Sequence, residues 1–577
     1  MHPRPLLHAA VLAAAFAACP AHSQRGGAAP PDLILTGGRI FTANPAHPWA
    51  QAIAIRGERV VAVGTTAQVE RLAGRGTRRL ALGGRVVVPG FNDAHDHYGG
   101  PPVGVVVHID ADPIAGAPPA AVLDSVRAAA ARTPRGTWVT VDIGLAVLES
   151  PLVQGGTIRA VLDSVAPDHP VHLATPWGHG HLVNTAALRA AGIAEDVRDP
   201  VGGWYGRDAS GRLNGVLNEG TENAFRASAS ARPDAEQGAS LRAYADEAGA
   251  LGITSVQDMA NALDPAATLR AVRAATAAGP LPIRLRLIRW AAPGPDGRNP
   301  GEWDAFPAHP ARGVALEGTK WILDGTPLER GAVMRAPYAD RAGWKGRLDF
   351  PVDTIRQMLR EALAARGTGP ADRQLMLHAV GDSTIRLVLG LMQQLAPDSV
   401  WRARRLRLEH GDWLSGDLIP VAKRLGVVVV QNPTHFALGS QVMQGRYGGR
   451  VAGFQAVRSL VEAGVPLAIG SDGPRSPFLN MMLAVTHPNN PAQALTREQA
   501  VAAYTRGSAY AEFAERRKGT LAPGMLADLA VLSQDIFRVP AQALPATHSV
   551  LTLLGGRAVH DEHVLRAPAG TSTERGK

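Results

Sequence analysis

Cysteine is nearly absent from this chain of 577 residues: Cys19 stands alone. No disulfide can form within the chain, so packing or bound metal must supply what cross-links would. Lysine is almost as scarce, five residues against 54 arginines, and the arginines are spread along the chain. The net charge of +9 therefore gathers into no basic run interleaved with aromatics, which disfavours nucleic-acid binding. Heavy use of Ala, Gly and Arg carries no functional signal. A membrane-spanning segment is missing too. The apolar stretch from about Leu6 to Ala18 is too short to cross a bilayer. Behind Arg4 and ahead of the small-x-small run Ala21-His22-Ser23, it reads as a secretory leader over residues 1–23. The mature protein is then expected in the periplasm or the medium, with lipid attachment at Cys19 as the alternative.

What the chain does contain is core. Hydrophobic residues make up 46% of it, enough for more than one domain. After Gly26 to Pro31, short strands are expected over Asp32 to Ile40, Ala52 to Ile55, Val60 to Val63 and Val86 to Val88, with Gly-rich turns between them. A second strand-rich stretch, Ala527 to Leu532 and Val550 to Val559, closes the chain. Between them, apolar runs end in residues that bind metals. His95 and His97 are expected in the loop that the Val86–Val88 strand enters through Pro89 to Ala94, with both imidazoles able to reach one point. Further runs end at Asp324 (preceded by Lys320), at His378, at Glu409-His410 and at Asp472. Helical spacing at Val352, Ile355, Met358, Leu359 and Leu363 precedes the His378 run. Strands alternating with helices imply parallel pairing, and in a barrel built this way the C-terminal strand ends all face one mouth. Candidate ligands far apart in sequence therefore converge.

The motifs Pro89-Gly90-Phe91-Asn92-Asp93-Ala94-His95-Asp96-His97, Lys320 with Asp324-Gly325, and His378-Ala379-Val380-Gly381-Asp382 make the chain recognisable. With them stand Arg405 to His410, Gly470-Ser471-Asp472-Gly473-Pro474 and the tail from Gly519 to Asp528. Taken in order over residues 31 to 565, this set resembles the amidohydrolase superfamily and its YtcJ-like branch. The resemblance implies an α/β fold, a distorted (β/α)8 TIM barrel over 89–518. It also implies a small β-sandwich from both chain ends, 31–88 and 519–565, and an insertion over 100–240 covering the mouth. Within the insertion, Trp177 to Asn184 and the expected hairpin from Gly202 to Glu219 stand out. His179 and His181 are expected as substrate contacts or packing rather than metal ligands, because no strand-end ligands accompany them, and Asn184 and Glu219 as further substrate contacts. Trp177-Gly178 replace an acidic residue of the branch, so no substrate identity carries over.

By the same resemblance, His95, His97 and Asp472 would hold one divalent ion and His378 with His410 a second. Zinc is the expected metal, and a carboxylated Lys320 would bridge the pair. An unmodified ammonium there would repel both cations, and the mononuclear deaminases of the superfamily lack this lysine. A metal-bridging hydroxide would attack the substrate, with Asp472 as catalytic proton shuttle. Asp93, Asp382, Arg407 and Glu409 would orient ligands, Asp382 equally as a helix cap. The expected activity is hydrolysis of a C–N bond of an amide or N-acyl compound. A deaminase, a cyclic-amide or an ester or lactone hydrolase would use the same core, and an inactive binding relative is the alternative of another class. The expected partner is a small-molecule substrate; self-association is left open.

Overall fold

The computed structural model describes residues 29–566, apart from 101, 113, 222–225, 227–229, 292–302, 304, 367–368 and 438. The leader, its cleavage site and Cys19 lie outside the described residues. Among those described, no helix is long and apolar enough to cross a membrane.

Eight parallel strands form the central sheet: β1 Phe91–Asp96, β2 Ile253–Ala260, β3 Arg284–Trp290, β4 Val314–Ile322, β5 Leu375–Ala379, β6 Arg407–His410, β7 Val428–Gln431 and β8 Leu467–Ile469. They lie in sequence order around the sheet. The Asp472 N–H donating to the His95 carbonyl at 3.0 Å brings the first and last together. This is the TIM barrel that the family resemblance implied, with the parallel pairing expected from the alternating pattern. Strands such as β5 are buried at every position because helices cover the outside and side chains fill the inside. The helix Val352–Ala364 buries Ile355, Met358 and Leu359, the i, i+3, i+4 stripe that a covering helix needs. Register keeps the candidate ligands level: Ile322 pairs with His378, and Ala379 with His410.

Both chain ends build the sandwich. One sheet has the order Arg59–Gly64, Ala52–Arg56, Leu33–Thr36, Arg78–Ala81. The other runs Arg557–Asp561, Ser549–Leu554, Leu529–Leu532, Val86–Pro89, Arg39–Phe41, Trp49–Ala50. Leu33, Leu35, Ile40, Val87, Leu529, Val531 and Leu551 share one core between them. The strand expected over Asp32 to Ile40 is really two, split at Gly37-Gly38, and each half joins a different sheet. The loop expected after Val88 is absent. The chain leaves the sandwich at Gly90 and enters β1 at once, so His95 lies within a strand. The Gly90 N–H donates to the Asp528 carbonyl at 2.9 Å, and Arg284 on β3 grips the Asp528 carboxylate at 2.9 and 3.0 Å. The segment after β1 holds a six-stranded sheet, with Val105–Val107, Val139–Asp142 and Val171–Ala174 parallel, followed by His181–Val183, Leu213–Glu219 and Gly203–Arg207. The last two form the expected hairpin.

Candidate active site

The barrel mouth opens into a cavity of about 770 Å³. His95, His97, Lys320, His378, His410 and Asp472 all line it, and Trp177, His179 and His181 of the insertion form part of its wall. Six residues expected at strand ends thus share one space.

Three of the histidines are aimed by their back nitrogens. His95 Nδ1 donates to Glu409 Oε2 at 2.7 Å, His97 Nδ1 to Asn261 Oδ1 at 3.0 Å, and His410 Nδ1 to Asn432 Oδ1 at 2.9 Å. Each acceptor fixes the proton on Nδ1 and leaves the Nε2 lone pair for the cavity. All three Nε2 atoms face Asp472, at 3.8, 3.5 and 3.7 Å respectively. His378 Nε2 is buried with no hydrogen-bond partner, and its ring lies 4.3 Å from that of His410. A buried, unpartnered ring nitrogen beside three inward lone pairs and a carboxylate fits a metal site in its donor chemistry. Burial first, and then neighbouring basic groups such as Lys320 and His410, hold His95, His378 and His410 well below the ordinary histidine pKa. They are neutral, as ligands must be.

Lys320 Nζ stands 3.1 Å from His95 Nε2. Burial lowers its pKa from 10.5 to about 8, although Glu409 and Asp472 oppose the shift. Burial would raise Asp472, but His95, His97, His435 and Lys320 hold it below the usual carboxylate range. The backbone at His410 and Asp472 has φ of 67° and 40°, strain of the kind found where surroundings over-determine a functional side chain.

Support for these groups runs through the barrel interior. Arg407, fully buried, binds Glu409 at 2.7 and 2.9 Å. Asp93 accepts from the Ser471 N–H at 2.8 Å, from the Ser471 hydroxyl, and from Tyr504 Oη at 2.9 Å. It thereby fixes the end of β1, with His95, to the segment carrying Asp472. Burial and then Asp96 raise its pKa to about 7. Gly470 permits that approach, since a Cβ there would stand 2.4 Å from His95 N.

Other expected residues have different work. Asn184 does not reach the cavity: it caps the helix Thr185–Ala190, and its amide donates to the Ala166 and His169 carbonyls. Asp382 is neither a cap nor an orienter of the histidines. Gly381 occupies the cap position, and Asp382 accepts from the Arg335 N–H at 2.8 Å. Asp324 does the local fastening instead, accepting from Val333 N, Val380 N, Gly381 N and Thr384 Oγ1. His181 Nδ1 lies 2.9 Å from His172 Nε2. His179 Nδ1 meets Glu219 at 2.8 and 3.0 Å, and the His179 ring lies 5.1 Å from that of His378.

His435 was not anticipated. Its Nε2 is 3.2 Å from the Asp472 carbonyl and 3.7 Å from Oδ2, and with His410 and Asp472 it could hold an ion. The signal was present in Val427 to Val430, an apolar run ending in Gln431-Asn432-Pro433-Thr434-His435. The anchors Asn261 and Asn432 carry no pattern of their own.

A sequence model of the Amidohydrolase family matches residues 80–560. The YtcJ protein of Bacillus subtilis (strain 168) is 25% identical over 550 residues, covering 92% of this chain and 99% of that protein. An N-substituted formamide deformylase from Arthrobacter pascens is 28% identical over 539 residues, 87% of this chain and 94% of the deformylase. The crystal structure of an uncharacterized metal-dependent hydrolase from Pyrococcus horikoshii superposes with a TM-score of 0.67 at 20% identity, over 88% of this chain and 99% of that one. The last likeness is one of fold.

Proposed function

Because the chain belongs to the Amidohydrolase family, we propose that it hydrolyses a C–N bond of an amide or N-acyl compound with the help of two divalent ions, zinc by the character of the donors. The observation that carries this reading is the set of three histidines whose Nδ1 protons are fixed elsewhere while their Nε2 atoms face Asp472. The Arthrobacter deformylase, named for its action on N-substituted formamides, supports amide cleavage as the reaction.

His95, His97 and Asp472 would hold one ion, and His378 and His410 the other, with His435 within reach of the second. When bound, such ions polarise a carbonyl and lower the pKa of water. The remaining tasks belong to side chains. Asp472, kept ionised by its neighbours, takes a proton from the attacking water and returns it to the departing nitrogen. Glu409, clamped by Arg407, holds His95 in one tautomer and orientation. Lys320, whose depressed pKa makes the neutral amine accessible, reacts with carbon dioxide: its nitrogen forms the new C–N bond, one proton leaves, and an anionic carbamate results. That anion would remove the repulsion an ammonium would exert on nearby cations. Trp177 and Trp290 add apolar surface to the cavity wall, and where a bound substrate displaces water each of these charges counts for more.

The test is a substrate panel on zinc-loaded protein: N-substituted formamides and N-acyl amines beside esters, lactones and aminopurines. Amine release from the amides at rates above those for the other classes is expected. Turnover confined to esters or aminopurines would replace this reading with one of them.

A further inference from the structure

We propose that His179, Glu219 and Glu329 form a second cation site, distinct from the centre around Asp472, which takes a divalent metal such as zinc or manganese. His179 Nδ1 lies 2.8 Å from Glu219 Oε2 and 4.0 Å from Glu329 Oε1. One ligand atom from each residue falls within 4.8 Å of the others. None of the three belongs to the groups built on Asp472. They come from three distant places: the turn before His181–Val183, the end of Leu213–Glu219, and the loop after β4. The side chains of His179 and Glu219 are only 8% and 6% exposed. One imidazole and two carboxylates suit zinc or manganese in both charge and donor type.

Charge adds to the geometry. Two mostly buried carboxylates face one imidazole, and a third carboxylate stands close by. Both oxygens of Asp349 are shut from solvent and have no hydrogen-bond partner. Burial first, and then Glu219, pushes the Asp349 carboxyl well above its ordinary pKa, with Glu329 adding to the effect. Burial and Glu219 likewise raise Glu329, although His179 opposes them. Thr326 donates to Glu329 through its N–H at 3.0 Å and its hydroxyl at 2.7 Å, but the Asp349 oxygens have no such partner, and three carboxylates gathered in a buried place favour a cation among them.

There is also a gap between the two glutamates. A Cβ on Gly325 would stand 2.9 Å from Glu219 Oε1 and 3.4 Å from Glu329 Oε1, so the missing side chain keeps that space clear. An ion there would take Nδ1 of neutral His179 in place of its hydrogen bond to Glu219, the one ring proton then sitting on Nε2. Because His179 and Glu219 belong to the insertion and Glu329 to a barrel loop, the ion ties the cover to the barrel beside His378.

The test counts ions and needs no enzymatic assay, so it stands apart from the reading of the Asp472 centre. Full-length protein is stripped, reloaded with zinc or with manganese, dialysed and analysed for metal by mass spectrometry. The Glu219→Gln/Glu329→Gln double variant should hold about one ion fewer per chain than wild type, whatever the wild-type total, because amides are poor replacements for carboxylates here. A folded double variant that holds as many ions as wild type overturns the proposal. Wild-type crystals soaked in manganese chloride provide a second measurement if the variant does not fold. Anomalous density among His179 Nδ1, Glu219 and Glu329 is expected, and its absence in crystals whose Asp472 centre is filled also overturns it.

Discussion

Replacing Glu409 with glutamine separates two jobs that this side chain performs. Glu409 is fully buried, accepts the His95 Nδ1 proton at 2.7 Å and neutralises Arg407 through contacts at 2.7 and 2.9 Å. Glutamine keeps the shape but leaves Arg407 as an uncompensated buried cation, a change that costs about 3–5 kcal/mol when one partner of such a pair is removed. It also takes the anion from behind His95, and loss of a ligand's supporting partner weakens metal affinity by roughly 10–100-fold. The Arg407→Met/Glu409→Gln double variant removes both charges, so most of the stability should return. Metal affinity should stay low, because His95 still lacks its carboxylate. The assay pairs denaturant midpoints of the stripped proteins with competitive zinc titration of wild type and three variants, Arg407→Met included. If Glu409→Gln binds zinc within twofold of wild type, the carboxylate does not tune His95 and the reasoning fails.

Asp472→Asn should lose at least ~10²-fold in turnover, the scale of a missing general base, while keeping much of its metal. His378→Ala and His410→Ala should lower metal content and turnover together, so parallel metal analysis and kinetics distinguish a shuttle from a ligand. Carboxylation of Lys320 needs the neutral amine. With a folded pKa near 8, reconstitution of stripped protein at fixed dissolved carbon dioxide should speed up with pH to about 8 and flatten above it. A rate independent of pH between 6 and 8, values chosen to flank the lower limb at about two units, would exclude that step. Asn184→Ala should destabilise the protein by about 1–2 kcal/mol through its lost cap, seen as a lower melting temperature, with zinc content unchanged.

The convergence of His95, His97, Lys320, His378, His410 and Asp472 was legible because parallel strands in a barrel all end at one face, and strand ends show as apolar runs. His435 escaped because it sits in a 3-10 turn beyond Pro433 rather than at the last residue of its run. The stretch Asn92-Asp93 looks like a turn, yet it is strand. Glu512 satisfies the Asn92 amide at 2.6 Å, and Ser471 and Tyr504 satisfy Asp93, so tertiary partners override the local preference. Asn184 was expected as a substrate contact because the segment from Trp177 to Asn184 is similar to one in the YtcJ-like branch. Its side chain turns instead toward backbone groups that burial leaves in need of partners. Glu329 lay beyond any sequence pattern, since its companions are more than a hundred residues away.

The sandwich strand Val86–Pro89 has Arg39–Phe41 on one side and Leu529–Leu532 on the other, and Gly90, its exit into β1, is tethered to Asp528. A ribosome therefore delivers the first two histidines of the cavity long before the residues that brace them. Until Leu529–Leu532 has been made, Val86–Pro89 presents an open edge to any other strand it meets. A chain released early would carry His95 on a strand, and His97 just past it, with nothing to lean on, exposed to aggregation rather than ready for a metal.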